Sequence, residues 1–208
     1  MNICVTGASK GIGKELVEVL LRQGHQVWGC ARTEVRRQKT EGRDDESKNF
    51  HWSSVNIAYM DDVLRWKEEM QMAHFQPDII ICNASVLLED MQEGFDIESA
   101  LKVIEVNLSG TLQCIDAFLP EFLERQNGKF VLIASTSALR PSPRSASYAA
   151  SKAGAVMAFR SLDLQYASKG VRFPVVMLGP IHTDMWEGKM TSLVPLPETA
   201  AKKIAAFA

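Results

Sequence analysis

The stretch Thr6-Gly7-Ala8-Ser9-Lys10-Gly11-Ile12-Gly13 decides how this chain is read. It follows a short apolar run, Ile3-Cys4-Val5, and opens directly into Ile12, Leu16, Val19 and Leu20, apolar residues at helical spacing. A strand, a glycine-rich turn and a helix in that order bring unpaired N–H groups, and the partial positive charge of a helix N-terminus, to the end of a strand, where a phosphate can bind. Gly7 permits the tight turn, Gly11 lets backbone approach a pyrophosphate, and Gly13 lets helix and strand pack closely. The spacing is GxxxGxG rather than the broad dinucleotide fingerprint GxGxxG.

Working outward, β-rich and helical stretches alternate along the chain. The first helix covers 12–23 and stops at Gly24; strands are predicted at 3–6, 26–31, 50–55, 78–82, 129–134 and 171–178. Further helices are predicted at 61–72, 99–125, 147–168 and 197–208, while the mixed charges of 33–48 read as a solvated helix or loop. Asp78-Ile79-Ile80-Ile81-Cys82 is a nearly continuous apolar run, as in a strand buried on both faces of a parallel sheet. The expectation is one α/β domain over residues 1–208, a doubly wound parallel sheet of about six strands with helices on both faces. Ligands of such sheets bind outside the carboxyl ends of the strands.

With 46% hydrophobic and 23% charged residues and a net charge of −2, the chain gives no electrostatic reason to expect nucleic acid or an anionic membrane as partner. No apolar run approaches the roughly 20 residues that span a bilayer, and the opening residues lack the plan of a signal peptide. Cysteines 4, 30, 82 and 114 form no CxxC pair and read as small buried hydrophobes of a cytoplasmic protein.

The turn Thr6–Gly13 resembles the cofactor-binding motif of the short-chain dehydrogenase/reductase family, and the resemblance continues along nearly the whole chain. It implies a Rossmann-type sheet and a nicotinamide cofactor held by Gly7, Ser9, Lys10, Gly11, Ile12 and Gly13. After the second strand, where NAD-type members place a carboxylate, stands Cys30-Ala31-Arg32. Arg32 offers a planar fork of donors to a 2′-phosphate and Lys10 adds a second cation, so NADP(H) is expected. Asn56-Ile57 resembles the adenine-contacting pair of the family, and Asn83-Ala84 its Asn-Asn-Ala-Gly segment, here Cys82-Asn83-Ala84-Ser85. Ile181 and Thr183 are expected near the nicotinamide carboxamide, with His182 a bystander.

Tyr148 and Lys152 form a YxxxK pair, which one helical turn places on the same face. Ser135 lies at the end of the fifth strand and Asn107 in the preceding long helix, in the family's order, so the resemblance implies a catalytic set of Ser135, Tyr148, Lys152 and Asn107. Tyr148 would exchange the proton of a carbonyl/alcohol interconversion, Ser135 would orient the substrate oxygen, and Asn107 would support a water beside Lys152. An ordinary tyrosine, with a pKa of about 10, is too weak a base at neutral pH; lowering that value by about 3 takes roughly 4 kcal/mol, expected here from the Lys152 ammonium aided by the positive oxidised nicotinamide.

The nearest subgroup by motif is similar to 3-oxoacyl-acyl carrier protein reductases, with a small carbonyl or alcohol compound as substrate. Compact members end with a seventh strand, whereas this sequence stops at Phe207-Ala208, so an open sheet edge and a homodimer through the helices carrying Asn107 and Tyr148 are expected. Residues 184–195, with Met185 and Trp186, lie where a substrate lid would, and their shortness suggests an open pocket or a small lid. Two rival readings are a nucleotide-binding regulatory or scaffold protein without turnover, and a sugar-nucleotide epimerase, which needs a longer carboxyl-terminal part.

Overall fold

Strands whose side chains are apolar on both faces can be buried only between two layers of helices, and this constraint organises the molecule. The computed structural model describes residues 1–33, 46–91, 94–141, 143–181 and 195–206. In chain order it contains β1 (Asn2–Thr6), α1 (Gly11–Arg22), β2 (Gln26–Ala31), β3 (Phe50–Ser54), α2 (Met60–Met72), β4 (Ile79–Cys82), α3 (Ile97–Ile104), α4 (Gly110–Glu124), β5 (Gly128–Ser135), α5 (Ala146–Tyr166), β6 (Val171–Arg172), β7 (Val175–Leu178) and α6 (Pro197–Ala205). The strands are parallel in the order β3-β2-β1-β4-β5-β6, with β7 also on β5.

Successive side chains of a strand point to opposite faces. In β1, Ile3 and Val5 enter one core with Leu16 and Leu20 of α1 and Ala201 and Ile204 of α6; Cys4 enters the other with Trp66 of α2, Phe118 of α4 and Phe159 of α5. All four cysteines are free and buried, and burial pushes their thiols up, that of Cys114 to about 12.

Two elements differ from the sequence reading. The helix expected over 99–125 is two helices, α3 and α4, joined by a π turn at Glu105–Ser109. The strand expected over 171–178 is two short strands on the same edge of β5. Pro174 has no N–H to give the ladder, and the N–H of Phe173 turns instead to Asp163 Oδ1 at 2.9 Å. The Pro174 carbonyl still accepts from Leu132 N at 3.0 Å, so the break does not detach the edge. Of the charged stretch 33–48, most lies outside the described residues, as do the last two residues of the helix expected to reach 208.

The order of the strands reverses beside β1: β2 and β3 lie to one side, β4 and β5 to the other. Chains leaving β1 and β4 therefore part, leaving a crevice at their carboxyl ends.

The return from α5 into β6 depends on Gly170, whose φ is +80° and at which a Cβ would lie 1.8 Å from the carbonyl oxygen of Gln126. Left-handed backbone and that close approach together make Gly170→Ala destabilising by at least about 2 kcal/mol. Urea unfolding should show a lower midpoint with an unchanged slope; an unchanged midpoint would contradict the packing described.

Candidate active site

The glycine turn sits at the mouth of the crevice. Gly7 and Gly11 have φ of +67° and +54°, and a Cβ on Gly13 would lie 2.2 Å from the carbonyl oxygen of Gly7, filling the cradle. No side chain caps the N-terminus of α1, and its first turn holds no acidic residue, so the orphan N–H groups there remain for an anion. These features fit the pyrophosphate of a dinucleotide.

The turn is fastened to the segment after β4 by Thr6, a residue with no mark in the sequence beyond ending a strand. Its hydroxyl accepts from the N–H groups of Asn83 and Ala84 at 3.1 and 3.0 Å and donates to Ile81 O at 3.3 Å. Asn83 answers by donating from Nδ2 to the carbonyls of Thr6 and Gly7 at 2.9 and 3.2 Å. The amide of Asn83 is thus spent on holding the turn.

A cleft of about 1950 Å³ runs from this turn across the ends of the strands. Gly7, Ser9, Lys10, Gly11, Ile12 and Gly13 line one end; Arg32, Asn56 and Ile57 its flank; and Asn83 and Ala84 its middle. Ser135, Tyr148, Lys152 and Ile181 line the far end, while Thr183, His182 and all but the last residue of the expected lid lie outside the described residues. Arg32 and Lys10 are exposed. Ile57 is only 5% exposed and lies close to Gly110 of α4, where a Cβ would come within 2.9 Å of it. Asn56 turns its Oδ1 to Ala58 N at 3.3 Å and its own N–H to Asp62 at 2.8 Å.

At the far end the structure brings the expected set together on α5 and its neighbours. Lys152, 5% exposed, donates from Nζ to the carbonyl of Ile133 at 3.1 Å and lies 5.7 Å from the centre of the Tyr148 ring. Burial lowers its pKa to about 8, partly opposed by the nearby Cys82. Ser135 Oγ accepts from Ser137 N at 3.1 Å and donates to Ser137 Oγ at 3.2 Å. The pKa of Tyr148 is raised, because burial outweighs the hydroxyls of Ser135 and Ser85. At neutral pH the residue is a phenol, the acid form. Ser85 Oγ is buried close to that phenol, yet meets no partner at hydrogen-bonding geometry among the described residues.

Asn107 lies in the π turn, 2% exposed, behind the cleft. Its side chain accepts from Val86 N at 2.8 Å and donates to Val86 O at 2.9 Å and Ser151 Oγ at 3.2 Å. Those bonds tie the segment after β4 to α5. Among the described residues no group of three or more His, Cys, Asp or Glu side chains could hold a metal ion, and no helix is long and apolar enough to cross a membrane.

Comparison with known proteins agrees with this geometry. Residues 1–193 match the family model described as short chain dehydrogenase, and the chain belongs to that family. It is 32% identical over 183 residues to an uncharacterized oxidoreductase of Staphylococcus saprophyticus, covering 87% of this chain and 78% of that protein. It is 30% identical over 182 residues to the 3-oxoacyl-[acyl-carrier-protein] reductase of Escherichia coli K12, covering 87% of this chain and 73% of that one. Among solved structures, a short chain dehydrogenase from Burkholderia cenocepacia in complex with NADP superimposes with a TM-score of 0.82 at 27% identity, covering 99% of this chain and 83% of that chain.

The buried ammonium has a measurable consequence. Folded Lys152 holds its proton less tightly than the unfolded chain does, so its burden on stability is full below pH 8 and is relieved as pH rises towards 10.5. Lys152→Met removes that burden, by about 3 kcal/mol from a shift of this size. In urea unfolding the variant should exceed the parent most at pH 7, and most of this excess should vanish by pH 10. The buried thiols of Cys4, Cys30 and Cys114, whose raised values act in the opposite sense, cancel in the difference. An excess that is constant with pH would contradict the burial of the charge.

Proposed function

We propose that this short chain dehydrogenase interconverts a carbonyl compound and an alcohol with NADP(H), with Tyr148 exchanging the proton. The observation that carries the reading is a half-buried tyrosine and a buried lysine one helical turn apart in the same cleft as an uncapped, glycine-lined helix N-terminus. The glycine turn would hold the pyrophosphate, Asn56 and Ile57 the adenine side, and Lys152 and Ile181 the nicotinamide side. When bound, the dinucleotide supplies the hydride that reaches the substrate carbon.

The rest falls to side chains of this chain. Ser135 Oγ donates to the substrate oxygen and fixes it beside Tyr148. As that oxygen gains charge, Tyr148, a phenol at neutral pH, gives up its hydroxyl proton to it. Lys152, with a pKa near 8, stands where it can stabilise the phenolate left behind and pass on a proton. A sensor without turnover has no use for the costly burial of a lysine beside a tyrosine in one cleft.

Three observations support NADP(H) over NAD(H): Arg32 and Lys10 line the cleft near the end of β2, no carboxylate follows that strand through Thr33, and the Burkholderia neighbour holds NADP. A 3-oxoacyl compound is the substrate class suggested by the E. coli relative. We place the protein in the cytoplasm, as one domain over residues 1–208. A homodimer is supported by exposed apolar side chains on the helices that flank the site, among them Leu112 of α4 and Met157 and Leu164 of α5, 40%, 60% and 88% exposed.

Tyr148→Phe should abolish NADPH-dependent reduction of a panel of ketones, followed by absorbance, while NADPH binding by fluorescence stays intact; a variant as fast as the parent would remove the mechanism. The parent should bind NADPH more tightly than NADH, and Arg32→Ala should narrow the gap by about tenfold, the worth of one charge-assisted hydrogen bond. Equal affinities in the parent would remove the cofactor assignment.

A further inference from the structure

Asp90 follows β4 by a short loop and is the one carboxylate fully buried among the described residues. A buried carboxylate is unfavourable unless it is hydrogen-bonded, and this one is met by the catalytic helix. Oδ1 accepts from the N–H of Ala146 and Oδ2 from the N–H of Ser147, each at 2.9 Å. These are the first two residues of α5, and Tyr148 is the third. The next donor, Tyr148 N, goes to Ser145 Oγ at 3.3 Å. Every N–H at the start of α5 through Tyr148 therefore has a protein acceptor, in contrast to α1, where none is capped by a side chain. The contacts of Asp90 act against its burial and hold its carboxyl below the usual range, so it is charged at neutral pH, as the positive end of a helix favours.

The backbone about Asp90 is fixed as well. Asp90 N donates to Arg144 O at 3.2 Å, and Asp90 O accepts from Asp96 N at 3.0 Å. At the other end of the same segment, Asn107 holds Val86 and donates to Ser151 Oγ, which donates to the carbonyl of Tyr148 at 2.8 Å. Residues 86–90, which line the cleft through Leu87 and Leu88, are thus clamped at both ends, and the backbone of Tyr148 lies between the two clamps.

We propose that Asp90 is a positioning residue: its carboxylate seats the first turn of α5 against the loop after β4, and thereby sets where the Tyr148 hydroxyl meets the substrate oxygen. This inference rests on the proposed role of Tyr148 as proton donor. Displacement of a reacting group by about 1 Å can lower a rate on the order of 100-fold, so a partial loosening of the turn is visible in kcat.

The test is Asp90→Asn, which keeps the shape and one acceptor oxygen but presents an NH2 group to an N–H. It is measured beside the parent and Tyr148→Phe for ketone reduction, NADPH affinity, melting temperature and the solvent deuterium isotope effect. The inference expects kcat to fall about tenfold and the isotope effect on kcat to rise as proton transfer becomes limiting, with NADPH affinity within about twofold of the parent. It is overturned by an unchanged kcat and isotope effect, whatever the melting temperature does. It is also overturned if NADPH affinity falls in step with kcat, or if the variant does not fold, since Asp90 would then serve folding rather than placement. Should Tyr148→Phe reduce ketones like the parent, the proton-donor reading fails and takes this inference with it. Should Tyr148→Phe be inactive while Asp90→Asn matches the parent, the positioning role alone fails.

Discussion

The hydroxyl of Thr6 makes three hydrogen bonds, to Asn83 N, Ala84 N and Ile81 O, and through them binds the glycine turn to the loop after β4. The two segments diverge because the sheet order reverses between β1 and β4, and without this link the crevice would have no fixed width. Close backbone contact makes the same demand: a Cβ on Gly7 would lie 2.7 Å from Cα of Ala84. The glycine, the threonine and the asparagine are one device. It sets the distance between the glycine turn and the loop that leads on to Asp90 and the helix carrying Tyr148 and Lys152.

Two helix N-termini face the same rim with opposite treatment. That of α1 is left uncapped and free of acidic residues, while that of α5 is closed by Asp90 and Ser145. An open end attracts an anion; a closed end gives a side chain near it a fixed place. Tyr148 and Lys152 extend from the closed helix into a region where burial disfavours both of their charged forms. The site thus carries a local instability that a site built only for stability would not retain.

Much of this was legible in the sequence because it follows from constraints on single residues. Gly7 and Gly13 mark positions where a side chain would not fit, Gly11 takes a left-handed φ that favours glycine, and Tyr148 and Lys152 share a face by helical period alone. Pro174 also announced its strand break, since a proline inside an apolar run cannot complete a ladder, though the run was read through it. What was not legible depends on tertiary surroundings. The π turn at Asn107 appears where the helix meets the loop at Val86, and no local pattern marks it. The raised pKa of Tyr148 comes from burial, which spacing does not report, and the closeness of Ile57 to Gly110 joins residues far apart in the chain. Asp90 has no partner at any regular spacing; its partners on α5 lie 56 and 57 residues away.

Burial raises the pKa of Tyr148, the proposed proton donor. The chain has three tyrosines, so carbon-13 labelling at the ring Cζ gives a spectrum in which Tyr148 is assigned by its loss in Tyr148→Phe. Titration of the unliganded protein should show the Tyr148 signal ionising above the ordinary tyrosine value of 10.0. A phenolate signal for Tyr148 at neutral pH would contradict the account.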